Sequence, residues 1–236
     1  MKIRRIIKKV INEQIPILIS SNCKQEGVAL TFDDAYIDAW YSIRELLMTY
    51  KAKVTFFVAF FDRLSNDEVE KLRKLRDDGH EIACHGLRHL NAVGFMEKYS
   101  IERYIEEEIK PAINIMTSNG FHPLNFSYPY GAHTDIIDNV LLDFFERVRT
   151  SSNKNANFFN RKQRIVGAIG IDNAYNNYQN IPEYLKKAKR KKEIIILYGH
   201  RTSNEPGDFH TPIDRVEAIL KSASEYGLPF YRMSDL

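Results

Sequence analysis

The sequence predicts one α/β domain in which parallel strands and helices alternate around a barrel, and three observations carry that expectation. The chain has 236 residues, a size at which β/α barrels commonly fold as a single unit. From residue 27 onward, short apolar runs alternate with longer stretches of helical periodicity, the pattern of successive βαβ units. Four groups of chemically distinctive residues each follow a strand-like run directly, where a barrel gathers its functional side chains.

Composition narrows the function classes. Hydrophobic residues make up 44% of the chain, with 14 Phe and 13 Tyr, enough to bury a large core and too many for a disordered chain. The 34 basic and 31 acidic residues leave a net charge of +3, so the whole-molecule field gives no reason to expect a nucleic-acid partner. Cys23 and Cys84 lack the CxxC spacing of a zinc knuckle or redox pair and are read as reduced thiols.

At the start of the chain, Ile3, Ile6, Ile7, Val10 and Ile11 recur at helical spacing among Lys2, Arg4, Arg5, Lys8 and Lys9. Residues 1–26 are therefore read as a basic amphipathic helix and lead-in. Its apolar face is expected to pack on the domain, with weak contact to an anionic membrane surface as the alternative. Asn12, Glu13, Gln14 and Pro16 interrupt the apolar stretch that a signal peptide needs, and no run is long enough to span a bilayer. The expectation is a soluble chain, cytoplasmic or peripheral to a membrane.

The barrel is assigned to 27–236. Strands are expected over 28–32, 53–59, 80–84, 126–128, 147–150, 164–169 and 193–198, where β-branched and aromatic residues cluster. Helices are expected over 36–50, 66–77 (ended by Gly79), 100–118, 135–145, 182–190 and 212–226, with Pro111 kinking or dividing the third. Residues 153–160 read as a polar loop.

The first chemical group is Thr31-Phe32-Asp33-Asp34. Adjacent strand residues point to opposite faces, so both carboxylates reach one site only where the chain leaves the strand. An Asp-Asp pair in isolation is explained more simply by Asp34 capping the next helix, with Asp33 solvated. The second is His85-Gly86-Leu87-Arg88-His89. Imidazoles four residues apart on a helical turn converge on one ion, although isolated histidines at this spacing are as readily surface or capping residues. Two histidines and one Asp form a mixed nitrogen and oxygen set suited to Zn²⁺, and also to Co²⁺, Ni²⁺ or Fe²⁺. Three protein ligands leave a coordination position open, as catalysis requires.

The third group is Tyr128-Pro129-Tyr130-Gly131, a tight turn able to present a backbone N–H to an oxyanion, though such turns are commonly structural. The fourth is Leu197-Tyr198-Gly199-His200, closing the most apolar strand. His80 and Cys84 are read as structural and Trp40 as core, while Tyr130, Tyr198 and Phe209 are candidates for stacking on a sugar.

In this order the four segments resemble the NodB-type polysaccharide deacetylases, carbohydrate esterase family four. Thr55-Phe56-Phe57 and Gly79-His80-Glu81-Ile82 add to the likeness, which runs from about residue 27 to the C-terminus. The resemblance implies a distorted (β/α) barrel of the NodB homology type and a hydrolase that removes N-acetyl groups from the amino sugars of a glycan. Residue by residue, it implies Asp33 as general base, Asp34, His85 and His89 as ligands of one divalent metal, zinc first, Tyr130 as backbone oxyanion donor and His200 as general acid.

The sequence departs from the family pattern in several places. Gly86 stands for a usual Ser or Thr, Ala35 for a common Gly, and Ser127 for an Arg that pairs with the base. Two residues rather than one separate Leu197 from His200, and no Asp-Trp motif is evident; Arg164 or Asp172 is the candidate to compensate. The alternatives are a catalytically silent carbohydrate-binding protein of this fold, or a deacetylase of a lipid-linked sugar or an O-acetylated xylan.

Overall fold

The structure is a computed structural model that describes residues 26–151, 158–159 and 163–236. The expected N-terminal helix, Cys23 and most of the loop at 153–160 lie outside the described residues. In chain order the strands are β1 Gly27–Asp34, β2 Thr55–Val58, β3 Glu81–Cys84, β4 Asn125–Ser127, β5 Arg147–Arg149, β6 Phe158–Phe159, β7 Ile165–Val166, β8 Ile169–Gly170, β9 Ile194–Gly199, β10 Arg201–Thr202 and β11 His210–Thr211. The α-helices are α1 Ile37–Ser42, α2 Arg44–Thr49, α3 Asn66–Asp77, α4 Ala92–Met96, α5 Ile101–Tyr104, α6 Lys110–Ser118, α7 Asp135–Leu141, α8 Ile181–Lys191 and α9 Ile213–Glu225.

β1 to β9 form one curled sheet in the order β6-β9-β1-β2-β3-β4-β5-β7, with β8 also on β9, and all pairings are parallel except that of β6. This is the expected NodB-type distorted barrel. The stretch expected as one strand over 164–169 is two half-strands with different neighbours: β7 pairs with β5, and β8 pairs with β9 at the other end of the sheet. Only Gly167 and Ala168 separate them, so a single extended segment bridges the two sheet ends.

Period-2 alternation divides the strand residues cleanly between two layers. Val28, Leu30, Phe32, Phe56, Val58, Ile82, Cys84, Ile195 and Leu197 face outward into the core shared with the helices. Ala29, Phe57, Ala83, Ile196 and Tyr198 face the barrel interior, which Tyr231, Met233 and Leu236 of the C-terminal segment help to fill. Continuing the inward series along β1 through Thr31, and one step beyond Ala83 and Tyr198, gives Asp33, His85 and His200. The alternation that buries Ala29, Ala83 and Tyr198 thus delivers three polar side chains to one rim.

Three helix expectations are modified. The helix over 36–50 is divided at Ile43, whose backbone at φ −93°, ψ 8° ends α1 and begins α2. α7 ends at Leu141, and Arg164 donates to the carbonyls of Leu142, Phe145 and Glu146 just beyond it. The helix over 100–118 is divided by a π-turn at Ile105–Ile109, one residue short of Pro111. α3 follows the expectation, opened by a capping box between Ser65 and Glu68, a device worth about 1 kcal/mol. Among the described residues no helix is long and apolar enough to cross a membrane.

Candidate active site

β1, β3, β4, β5 and β9 end around a cleft of ≈ 410 Å³ whose lining includes Asp33, Asp34, His85, His89, Tyr130, Arg149 and His200. That volume lies within the range of small-ligand sites. All six residues singled out by the sequence therefore meet in one place.

Asp34 reaches the rim because the chain turns there. By alternation it would face away from Asp33, but its φ of 83° places it in the left-handed region and redirects its side chain. It does not cap α1, whose first residue follows Tyr36 with no side-chain cap. Asp34 Oδ1 lies 3.5 Å from His85 Nε2 and 3.1 Å from His89 Nε2, and the three ligand atoms fall within 4.8 Å of one another. His85 Nδ1 is 2.8 Å from the carbonyl oxygen of Ser127. A carbonyl only accepts, so Nδ1 carries the proton and the Nε2 lone pair faces Asp34. Asp34 Oδ1 is buried and accepts no hydrogen bond among the described residues. Two imidazole nitrogens gathered on such an oxygen fit a divalent transition metal.

The two histidines are not on a helical turn as expected. Residues 85–90 form an irregular bend in which Gly86 and His89 have φ of 85° and 57°. The backbone N–H groups of Arg88 and Leu90 donate to the carboxylate of Glu108, at 2.9–3.1 Å, in place of helical carbonyls.

Asp33 is 3% exposed rather than solvated. Its Oδ2 is paired with the guanidinium of Arg149, which also donates to Ser127 Oγ and lies over the rings of Phe57 and Tyr198. The expected loss of a salt-bridge partner at Ser127 is thus corrected: Arg149, on the next strand, fills that place. Arg164 does not compensate, because it caps the end of α7. With Oδ2 engaged, Asp33 Oδ1 is the oxygen left without a partner among the described residues.

His200 is fixed from several sides. Its Nδ1 is 2.5 Å from Asp172 Oδ2, its backbone N–H donates to Asp172 Oδ1 at 3.0 Å, and Thr211 Oγ1 donates to the same oxygen. Trp40 is core, as expected, yet its indole N–H also donates to the His200 carbonyl at 2.8 Å. Burial opposes charge on His200, but the Asp172 hydrogen bond and the nearby charges of Asp33 and Asp34 outweigh it and hold its pKa above the ordinary 6.5.

Tyr130 sits at φ 60° with its side chain 70% exposed and its ring 4.7 Å from that of His89. Phe209 is also exposed beside His200. Tyr198 is not a stacking platform: it is buried and packed on Arg149 and Tyr175. His80 is structural, accepting the Val54 N–H far from the cleft, and burial lowers its pKa to about 4. Cys84 faces the outer core. The residues missed from the sequence are Arg149 and Glu108. A charged residue within the short strand Arg147–Arg149 was the available signal for the first, whereas the Glu run 106–108 reads as a solvated helix face.

A polysaccharide deacetylase family model matches residues 20–144. No curated protein sequence matches the chain. Among solved structures, the Xyl-CE4 domain of a multidomain xylanase from the hindgut metagenome of Trinervitermes trinervoides is 17% identical, with 89% of each chain covered and a TM-score of 0.61. The peptidoglycan deacetylase PdaC from Bacillus subtilis is 18% identical over 90% of each chain, with a TM-score of 0.55. A mutant of a CE4 family pseudoenzyme with restored enzymatic activity is 17% identical, covering 90% of this chain and 68% of its own, with a TM-score of 0.59. The chain belongs to the polysaccharide deacetylase family, hydrolases that act on glycans.

Proposed function

We propose that this protein is a metal-dependent hydrolase that removes the N-acetyl group from an amino sugar of a polysaccharide or other glycan, and that residues 27–236 form its catalytic barrel. The observation that carries the reading is the convergence of Asp34, His85 and His89 within 4.8 Å, on the same cleft as Asp33 and His200. These three residues would hold one divalent ion, with zinc first and cobalt, nickel or iron as alternatives. When bound, the ion supplies Lewis-acid chemistry, polarising a carbonyl and acidifying water.

The chain's own groups divide the proton work. Asp33 Oδ1 accepts a proton from the attacking water, while Arg149 keeps Oδ2 occupied and the carboxylate oriented. The backbone N–H of Tyr130 faces the oxyanion that develops on the acetyl oxygen. His200, with Nδ1 held by Asp172, turns Nε2 to the leaving nitrogen and donates the proton it needs. Water and the acetamide give acetate and a free amine.

Exposed Tyr130 and Phe209 at the cleft mouth suit a sugar ring. Chitin, peptidoglycan, exopolysaccharide and lipid-linked sugars all present the required acetamide. The test is acetate release from a panel of N- and O-acetylated glycans with added Zn²⁺ or Co²⁺, by wild type and Asp33→Asn. Wild-type release and loss of about 10²–10⁴-fold in the variant are expected. Glycan binding without release by wild type would instead establish the silent binding protein, and full activity in Asp33→Asn would remove Asp33 from the base role.

A further inference from the structure

We propose that Glu108 is a positioning residue of this site, its buried carboxylate holding the bend at 85–90 so that His89 faces Asp34. Its bearing on metal affinity rests on the function proposed above, while the positioning itself does not.

His89 has a φ of 57°, a conformation that costs a non-glycine residue about 1–2 kcal/mol. Such a residue persists only where its surroundings over-determine it. Here the constraint comes from both flanks: the N–H of Arg88 donates to Glu108 Oε1 and Oε2 at 3.1 and 2.9 Å, and the N–H of Leu90 donates to Oε1 at 3.1 Å. The Arg88 guanidinium adds a 3.9 Å contact to Oε2. One side chain thus holds the Leu87–Arg88 and His89–Leu90 peptides, the two that bracket the Arg88–His89 link. Released from it, the backbone would relax to negative φ and carry the imidazole away from Asp34.

Two further features fit this arrangement. Glu108 is 0% exposed, whereas Glu106 and Glu107 form surface ion pairs with Lys110 and Arg103. Glu108 lies in the π-turn Ile105–Ile109, whose extra residue changes the facing of the helix locally. Pro111 has no N–H for the carbonyl of Glu107 four residues back, and Arg88 Nη2 donates to that carbonyl at 2.9 Å, tying the bend to the same turn. Gly86 completes the fit. A Cβ there would stand 2.3 Å from Glu108 Oε1, so the glycine that departs from the family pattern is what admits the carboxylate.

The experiment compares Glu108→Gln with Glu81→Gln in the full chain. Glu81 is also buried, but at the opposite end of β3, bonded to Thr55, Asn125 and Ser234. Amide hydrogen exchange of metal-free protein and Zn²⁺ affinity by competition with a chromophoric chelator are measured on each. Glu108→Gln should speed exchange at Arg88 and Leu90 and weaken Zn²⁺ binding about 10–100-fold, while Glu81→Gln leaves both unchanged. If Glu108→Gln does not fold, Gly86→Ala, which crowds the same carboxylate, should reproduce the two effects. Unaltered exchange at Arg88 and Leu90, or equal changes in Glu81→Gln, would overturn the proposal. Wild type that binds no Zn²⁺ but shows the exchange difference would uphold the positioning role and remove only the metal reading.

Discussion

The cleft contains two groupings of histidine with aspartate, and they are wired in opposite ways. In the first, Asp34 Oδ1 sits between two imidazole nitrogens and accepts no hydrogen bond among the described residues. In the second, Asp172 is saturated, accepting from the His200 backbone, the His200 ring and Thr211. An unsatisfied carboxylate beside two converging imidazole nitrogens is complementary to a cation. A satisfied carboxylate on one imidazole is complementary to a proton, because it fixes the ring and stabilises its charged form. The same two residue types are therefore suited to a metal in one place and to acid chemistry in the other, and the hydrogen bonds around them make the distinction.

The largest effect should come from breaking the first grouping. His85→Ala is expected to take the metal content from about one ion per chain to near none, measured by elemental analysis, with deacetylation lost and chelation of wild type reproducing the loss reversibly. His200→Ala should keep the ion and lose about 10²–10⁴-fold in turnover; equal metal loss in both variants would abolish the contrast. Next is the ion pair of Asp33, the proposed base, with Arg149. Arg149→Met leaves Asp33 buried without its partner and should cost about 3–5 kcal/mol in urea unfolding, part of which the Asp33→Asn/Arg149→Met double variant should recover. No destabilisation in the single variant would mean that the pair contributes nothing.

The smallest effect sharpens the second grouping. In the proposed mechanism His200 acts protonated, so activity should be present below its pKa and lost as pH rises through it. The Asp172 hydrogen bond is the first of the influences that raise this pKa. Asp172→Asn should therefore move the alkaline limb of the pH-activity profile to lower pH, with about a tenfold loss at neutral pH and unchanged metal content. A limb that stays in place would assign it to another group.

Much of this site was legible before the fold was known because it obeys local rules. Asp33, His85 and His200 continue the inward alternation of β1, β3 and β9, and that alternation is a property of any extended strand. The Asp pair, the spaced histidines and the Pro-Tyr-Gly turn sit at strand ends, where composition marks the end of an apolar run. The failures share a different cause. Arg149 stands on β5 as one of two arginines flanking Val148, and only the parallel pairing of Ser127 with Arg149 across β4 and β5 brings it to Asp33. Glu108 reads as one of three consecutive surface glutamates, and only the π-turn and its packing against the 85–90 bend bury it. The histidine spacing suggested a helical turn because it matches helical periodicity; the bend arises instead from hydrogen bonds to a side chain about twenty positions away.

By itself, then, the sequence determined the principal strands of the sheet, which of their faces is apolar, and which polar side chains stand at the strand ends, since these follow from backbone stereochemistry and hydrophobic periodicity within a few residues. It also determined the chemical types gathered there: carboxylates, imidazoles and a tight turn. Only the tertiary structure decided which carboxylate is satisfied and which is left facing other acceptors, that Arg149 rather than a residue beside the Pro-Tyr-Gly turn pairs with Asp33, and that Glu108 holds His89 in a left-handed conformation. Those decisions depend on the register between strands and on the closeness of groups far apart in the chain. A hydrogen bond or ion pair responds to distances of a few tenths of an ångström, which packing of the whole barrel sets and local sequence does not.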